Sequence, residues 1–179
     1  EPYLANVVLA GGALAALGSA EQKGRWLQPM MAGSHKLALA YAEPTSRYEL
    51  SFCATRATRE GDGYRIDGRK SSARGAPPPD HSVVSPATWG KADDPEGLTA
   101  LLVDAGASGL DVRAYATHDG SRAADLVFEG VRVDAGARLG PEDGALPALE
   151  LVVDQAIAAV ASEAVALGQA MSAGETAID

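Results

Sequence analysis

The sequence predicts an α+β fold: an antiparallel β-barrel or sandwich, preceded by helices and followed by one long helix. Three observations predict it. Between Lys36 and Gly140 the apolar residues fall in short runs, several of them alternating, separated by turn-forming clusters. From Ala145 onward they recur at spacings of three and four, the period of an amphipathic helix. Ahead of Lys36 lies an Ala-rich apolar segment and then a helix-capping pattern.

Taken in order, Tyr3 to Leu17 reads as a helix buried on most sides. It is too short to span a bilayer, which needs ~20 residues, and lacks the positive start of a signal peptide. Ser19 followed by Gln22 forms a capping box for a short helix through Trp26, Leu27, Met30 and Met31, ended by Gly33. The expected strands are Leu37–Tyr41, Phe52–Thr55, Tyr64–Asp67, Val83–Val84, Leu98–Val103, Leu110–Val112 and Leu126–Phe128. Turns separate them at Gly61–Gly63, Asp67–Gly68, Pro77–Pro79, Asp94–Gly97, Gly106–Gly109 and Asp119–Gly120. Leu146, Leu149, Val152, Val153, Ile157, Val160, Ala164, Leu167 and Met171 then give the last helix an apolar stripe that needs a partner. These changes of period divide the chain into 1–35, 36–141 and 142–179.

Composition narrows the chemistry. Fifteen Lys and Arg against 24 Asp and Glu give a formal charge of −9, a poor basis for binding nucleic acid or anionic lipid. The single Cys53 cannot form an internal bridge, so nothing requires an oxidising compartment and a cytoplasmic location is expected. Cys53 reads as a small apolar residue in a strand, with a reactive thiol as the alternative. His35, His81 and His118 stand singly, without metal-ligand spacing, so no metal site is expected. Arg56, Arg59, Arg65, Arg69, Lys70 and Arg74 form either a solvated hairpin face or an anion-binding wall.

The segment Leu39-Ala-Tyr-Ala-Glu-Pro-Thr-Ser-Arg-Tyr-Glu49 resembles the strand-and-loop signature of the acyl-CoA dehydrogenases. Four further segments follow that family in order: GSAEQKGRWLQPMMAG, ATREGDGYRIDGRKS, LTALLVDAGASGLDV and DGSRAADLVFEGVRVDAGARLG. The last helix, with Glu163, Ala164 and Gly168, resembles the first helix of the family's C-terminal bundle. The AEPTSRYEL version is most similar to small subunits of heteromeric enzymes acting on pimeloyl-type or other unusual thioesters.

The resemblance implies an FAD-dependent α,β-dehydrogenation of an acyl-CoA thioester. It also implies dimers or tetramers, homo- or heteromeric, built through the C-terminal helices, and a flavoprotein that accepts the electrons. By matched position, Leu39, Tyr41 and Ala42 would lie along the flavin edge, with Ser72 and Arg74 on the segment packing against it. Arg47 and Tyr48 would touch the pyrophosphate and the thioester tail. The family's base matches no residue here, so the catalytic residue stays unassigned, and Glu43 reads as a turn element more readily than as a base. The resemblance implies a fragment, with the base, the adenine contacts and the oligomer interface beyond Asp179. Four positions depart from the family: Ala42 replaces a hydroxyl residue, Tyr48 a serine, Ser72 a tryptophan and Arg74 a threonine. They motivate an alternative, a dehydrogenase-like β domain serving as a binding or scaffolding subunit without flavin. A β-barrel binder of hydrophobic ligands ranks third.

Overall fold

The computed structural model describes residues 3–47, 49–75 and 79–175. Helix α1 (Tyr3–Leu17) begins as a π-helix over Tyr3–Gly11 and continues as an α-helix from Gly12. Helix α2 (Ala20–Met31) starts on the expected capping box: Ser19 accepts from the Gln22 amide, and the Gln22 side chain accepts from the Ser19 amide. The Gln22 side-chain amide also donates to the Gly136 and Arg138 carbonyls, tying α2 to the sheet.

Eight strands follow: β1 (Leu37–Ala40), β2 (Arg56–Glu60), β3 (Gly63–Arg74), β4 (His81–Val84), β5 (Ala100–Asp104), β6 (Leu110–Ala116), β7 (Arg122–Val133) and β8 (Arg138–Leu139). They pair in the order β6-β7-β3-β1-β4-β5-β8, with β2 added on β3. Two expectations are corrected here. The path of described strands is open, so the sheet is not a closed barrel. It is also mixed, because β1 and β4 run parallel from Leu37 opposite His81 to Ala40 opposite Val84. Alternating apolar residues fix which face a strand buries but not the direction of its neighbour.

The period of two sorts side chains into two cores. Leu37, Leu39, Val83, Ala100 and Leu102 face α1 and α3. Ala40, Val84, Leu101 and Val103 face the other way, onto Tyr64, Ile66, Leu126, Phe128 and Val131 of β3 and β7. The two arms of the sheet thus enclose a core, and the helices cover its back. The hairpin from β2 to β3 turns on Gly61 at φ +59, the conformation a two-residue hairpin loop requires.

A third expectation fails at Phe52–Thr55, which forms no strand. Its amides at Ala54 and Thr55 donate instead to the Glu43 carboxylate, at 2.8 and 3.0 Å. Helix α3 (Leu146–Glu175) buries Leu149, Val152 and Ala156 against the first core. Beyond that its apolar residues are exposed, Ile157 at 61% and Met171 at 71%. By length and composition alone, Leu146–Ser172 would suffice to cross a membrane, although its first turns belong to the core.

Candidate functional site

Two segments far apart in sequence meet at the exit of β1. Leu39 of β1 pairs with Arg74 of β3. One step further on, the Ser71 amide donates to the Ala42 carbonyl at 2.8 Å. Tyr41 and Ala42 therefore lie beside the end of β3, both half-buried.

The end of β3 has an unusual course. Its even-numbered residues Tyr64, Ile66 and Lys70 point inward, but the register shifts between Lys70 and Ala73. The bulge turns Ala73 into the core and leaves Ser72 exposed at φ +52, a conformation non-glycine residues rarely adopt. Ser72 is held there by Asp125, which accepts from its amide at 3.1 Å, and by the Tyr115 hydroxyl, 3.2 Å from its Oγ. Arg74 is exposed and reaches Asp119 at 3.7 Å.

Beneath this surface lies a buried cluster. The Lys70 ammonium, fully buried, donates to Glu43 Oε1 at 2.9 Å, to the Tyr41 carbonyl at 3.2 Å and to Cys53 Sγ at 3.3 Å. Burial pushes the Glu43 carboxyl up, but the Lys70 charge, its hydrogen bond and the Thr55 amide outweigh this and lower its pKa to about 2. Burial likewise pushes the Cys53 thiol up, opposed by the Lys70 charge. Such a thiol is structural rather than reactive.

The backbone of Tyr41 and Ala42 lies beside the end of β3 that carries Ser72 and Arg74, but the side chains have separate partners: Tyr41 packs on the helix-side core, Ser72 bonds Tyr115 and Arg74 reaches Asp119. The Leu39 side chain joins the core behind it. Arg47 is exposed at φ +54 in the turn after Glu43, where Ser46 Oγ accepts from the Glu43 amide at 3.0 Å. Tyr48 lies outside the described residues. Glu43 is poorly suited to act as a base, because it is buried against Lys70 and its lowered pKa makes the carboxylate a weak proton acceptor. Of the six basic residues assigned to one hairpin face or wall, Lys70 is instead wholly internal; its parity with Tyr64 and Ile66 is the signal that reveals this. The histidines do not all stand alone, since the His35 and His81 rings lie 5.1 Å apart around Trp26. A cleft of about 790 Å³ beside α2, lined by Arg25, Trp26, His81, Asp104, Arg132 and Arg138 among others, shares no residue with the Tyr41–Ser72 surface.

Comparison with known proteins bears on this arrangement. Residues 38–131, a little over half of the chain, match the family described as acyl-CoA dehydrogenase, middle domain. A 3-(aryl)acrylate reductase of Clostridium sporogenes is 30% identical over 166 residues, covering 90% of this chain and 43% of its own. A caffeyl-CoA reductase–Etf complex subunit of Acetobacterium woodii is 30% identical over 168 residues, with coverage of 90% and 43%. The butyryl-CoA dehydrogenase structure from Megasphaera elsdenii superposes with a TM-score of 0.80 at 25% identity, over 87% of this chain and 41% of that one. The chain thus spans under half the length of the curated relatives it matches.

Proposed function

The chain belongs to the acyl-CoA dehydrogenase family, and from that premise we propose that it is the central part of an FAD-dependent enzyme that dehydrogenates an acyl-CoA thioester. The observation that carries this reading is the contact between Tyr41–Ala42 and Ser71–Arg74, two segments joined by the Ser71 amide and the Ala42 carbonyl. Their donors suit the polar edge of a flat ring. The amide of Ala42 has no acceptor among the described residues, and Arg74 is exposed opposite Leu39 in the β1–β3 register, three residues before Ala42. When bound, the flavin would supply the hydride acceptor.

This chain's residues would bind and orient. Tyr41, Ala42, Ser72 and Arg74 would hold the ring, and Arg47, with Tyr48, would meet the phosphates and the thioester tail. Positioning is worth several kcal/mol of barrier in such reactions. A base for the α proton would come from elsewhere in the full-length protein, because Glu43 is committed to Lys70. By analogy with the Acetobacterium woodii subunit of a reductase–Etf complex, the partners would be an acyl-CoA, an electron-transferring flavoprotein and further subunits packed through the helices, in the cytoplasm.

One observation favours a second reading, a scaffolding subunit without flavin. Ser72 replaces the stacking ring of the family, and its amide is already taken by Asp125. Spectroscopy of the full-length protein separates the two. Bound flavin that is lost more readily from Arg74→Ala than from the surface control Arg113→Ala supports the first. A folded, colourless protein that takes up no added FAD supports the second, and equal flavin content in the two variants removes Arg74 from the site.

A further inference from the structure

We propose that Lys70 is a positioning residue for the flavin, acting through the peptide unit that joins Tyr41 to Ala42. This rests on the flavin reading given above. The Lys70 ammonium donates to the Tyr41 carbonyl oxygen at 3.2 Å. The same peptide unit carries the Ala42 N–H. It is trans, and in a trans peptide the carbonyl and the N–H point in opposite directions. The N–H therefore faces away from Lys70, and among the described residues it meets no acceptor. A cation bonded to the carbonyl draws electron density onto the oxygen and makes the N–H a stronger donor, an effect enlarged in a dry environment.

Everything around Lys70 serves to keep that charge in place. Glu43 Oε1 binds it at 2.9 Å and also accepts from the Thr55 amide and the Cys53 thiol. Stability alone explains the pair poorly, since well-packed apolar residues of similar volume often serve a core as well as a buried ion pair. An apolar residue at 70 could not bond the Tyr41 carbonyl. The ammonium can, and it fixes the orientation of one peptide at the flavin edge. The Ala42 carbonyl, bonded to the Ser71 amide, fixes the next.

The test uses the full-length protein with its flavin. It compares wild type with the paired variant Lys70→Met/Glu43→Gln, which removes both charges together, and with Ala42→Pro, which removes the N–H itself. In both variants the flavin midpoint potential should shift to more negative values, because a weaker donor stabilises the electron-rich reduced ring less. Flavin affinity should fall about three- to ten-fold, the range of one lost hydrogen bond, with far-UV circular dichroism unchanged. A folded paired variant with unchanged potential and affinity overturns the proposal and leaves the flavin reading intact. If the paired variant does not fold, Ala42→Pro decides by the same two measurements. A full-length protein that takes up no FAD overturns the flavin reading, and this inference with it.

Discussion

Lys70 and Glu43 form an ion pair of 2.9 Å with both side chains withdrawn from solvent, directly behind the only two residues, Tyr41 and Ala42, that separate Glu43 from β1. The pair joins three stretches of chain: the exit of β1, the irregular segment at Cys53 to Thr55, and the inner face of β3. It is the joint on which the candidate site is mounted.

Breaking the pair on one side should be far more damaging than replacing both partners. Lys70→Met strands a buried carboxylate and is expected to cost about 3–5 kcal/mol, whereas Lys70→Met/Glu43→Leu recovers most of that loss. Urea unfolding of the full-length protein measures the difference. Equal midpoints for the single and paired variants would contradict it.

Acid should weaken the fold through Glu43. Its folded pKa, about 2, lies below the ordinary 4.5, so its contribution is complete above about pH 4.5 and is lost as the pH falls through about 2. The full effect is on the order of 3 kcal/mol. Unfolding curves across that window should show the loss, and Glu43→Gln should flatten the pH dependence.

His81 should act in a milder range. Burial lowers its pKa below 6.5, opposed by Asp104 and reinforced by His35. The unfolded state then binds more protons, so stability contributed by neutral His81 is present above about pH 6.5 and declines as the pH falls through the lower folded value. The ring lies 4.4 Å from that of Trp26, and tryptophan fluorescence should report its protonation. His81→Gln should abolish the change; persistence of the change in that variant would contradict the assignment.

Gly68→Ala should destabilise β3. The residue sits at φ +139, and an added Cβ would lie 2.7 Å from Thr55 Cα, where only backbone movement could make room. A cost of about 1–3 kcal/mol is expected from such overpacking, read as a lower thermal midpoint.

The two halves of α3 should respond differently. Leu149→Ala removes a buried side chain and should cost about 2–5 kcal/mol. Ile157→Gln combined with Leu167→Gln falls on exposed positions and should change the stability of the 179-residue chain by less than about 0.5 kcal/mol. Sedimentation of the same variant should show less self-association, since these residues present apolar surface to solvent.

What the sequence made legible was local. Ser19 and Gln22 specify their helix start within four residues, and Glu60-Gly-Asp-Gly63 specifies its hairpin in the same way. The period from Ala145 specifies a helix, but not that burial stops at Ala156. Tyr41, Ala42, Ser72 and Arg74 are candidates through family resemblance rather than through any pattern of their own. The burial of Lys70 is not legible locally, because a charge at an inward position reads as solvated until its partner is known, and Glu43 lies 27 residues away. Phe52–Thr55 has the composition of a strand but forms none, because a carboxylate rather than a neighbouring strand satisfies the amides of Ala54 and Thr55.

The position of β1 has a consequence for the order of assembly. It is the strand between the β3 side of the sheet and the β4 side, meeting Arg74 on one edge and residues 81–84 on the other. The hairpins β2–β3 and β6–β7 can zip from their own turns, but β1 must find partners some 35 to 45 residues distant. The β3–β7 ladder closes over a still longer stretch, from Arg74 opposite Ala123 to Tyr64 opposite Val133, so β1 docks as one of several long-range closures that the sheet requires. A chain that holds only its local hairpins therefore lacks the Tyr41–Ala42 edge, which forms with the long-range closure of the sheet rather than in proportion to the structure already made.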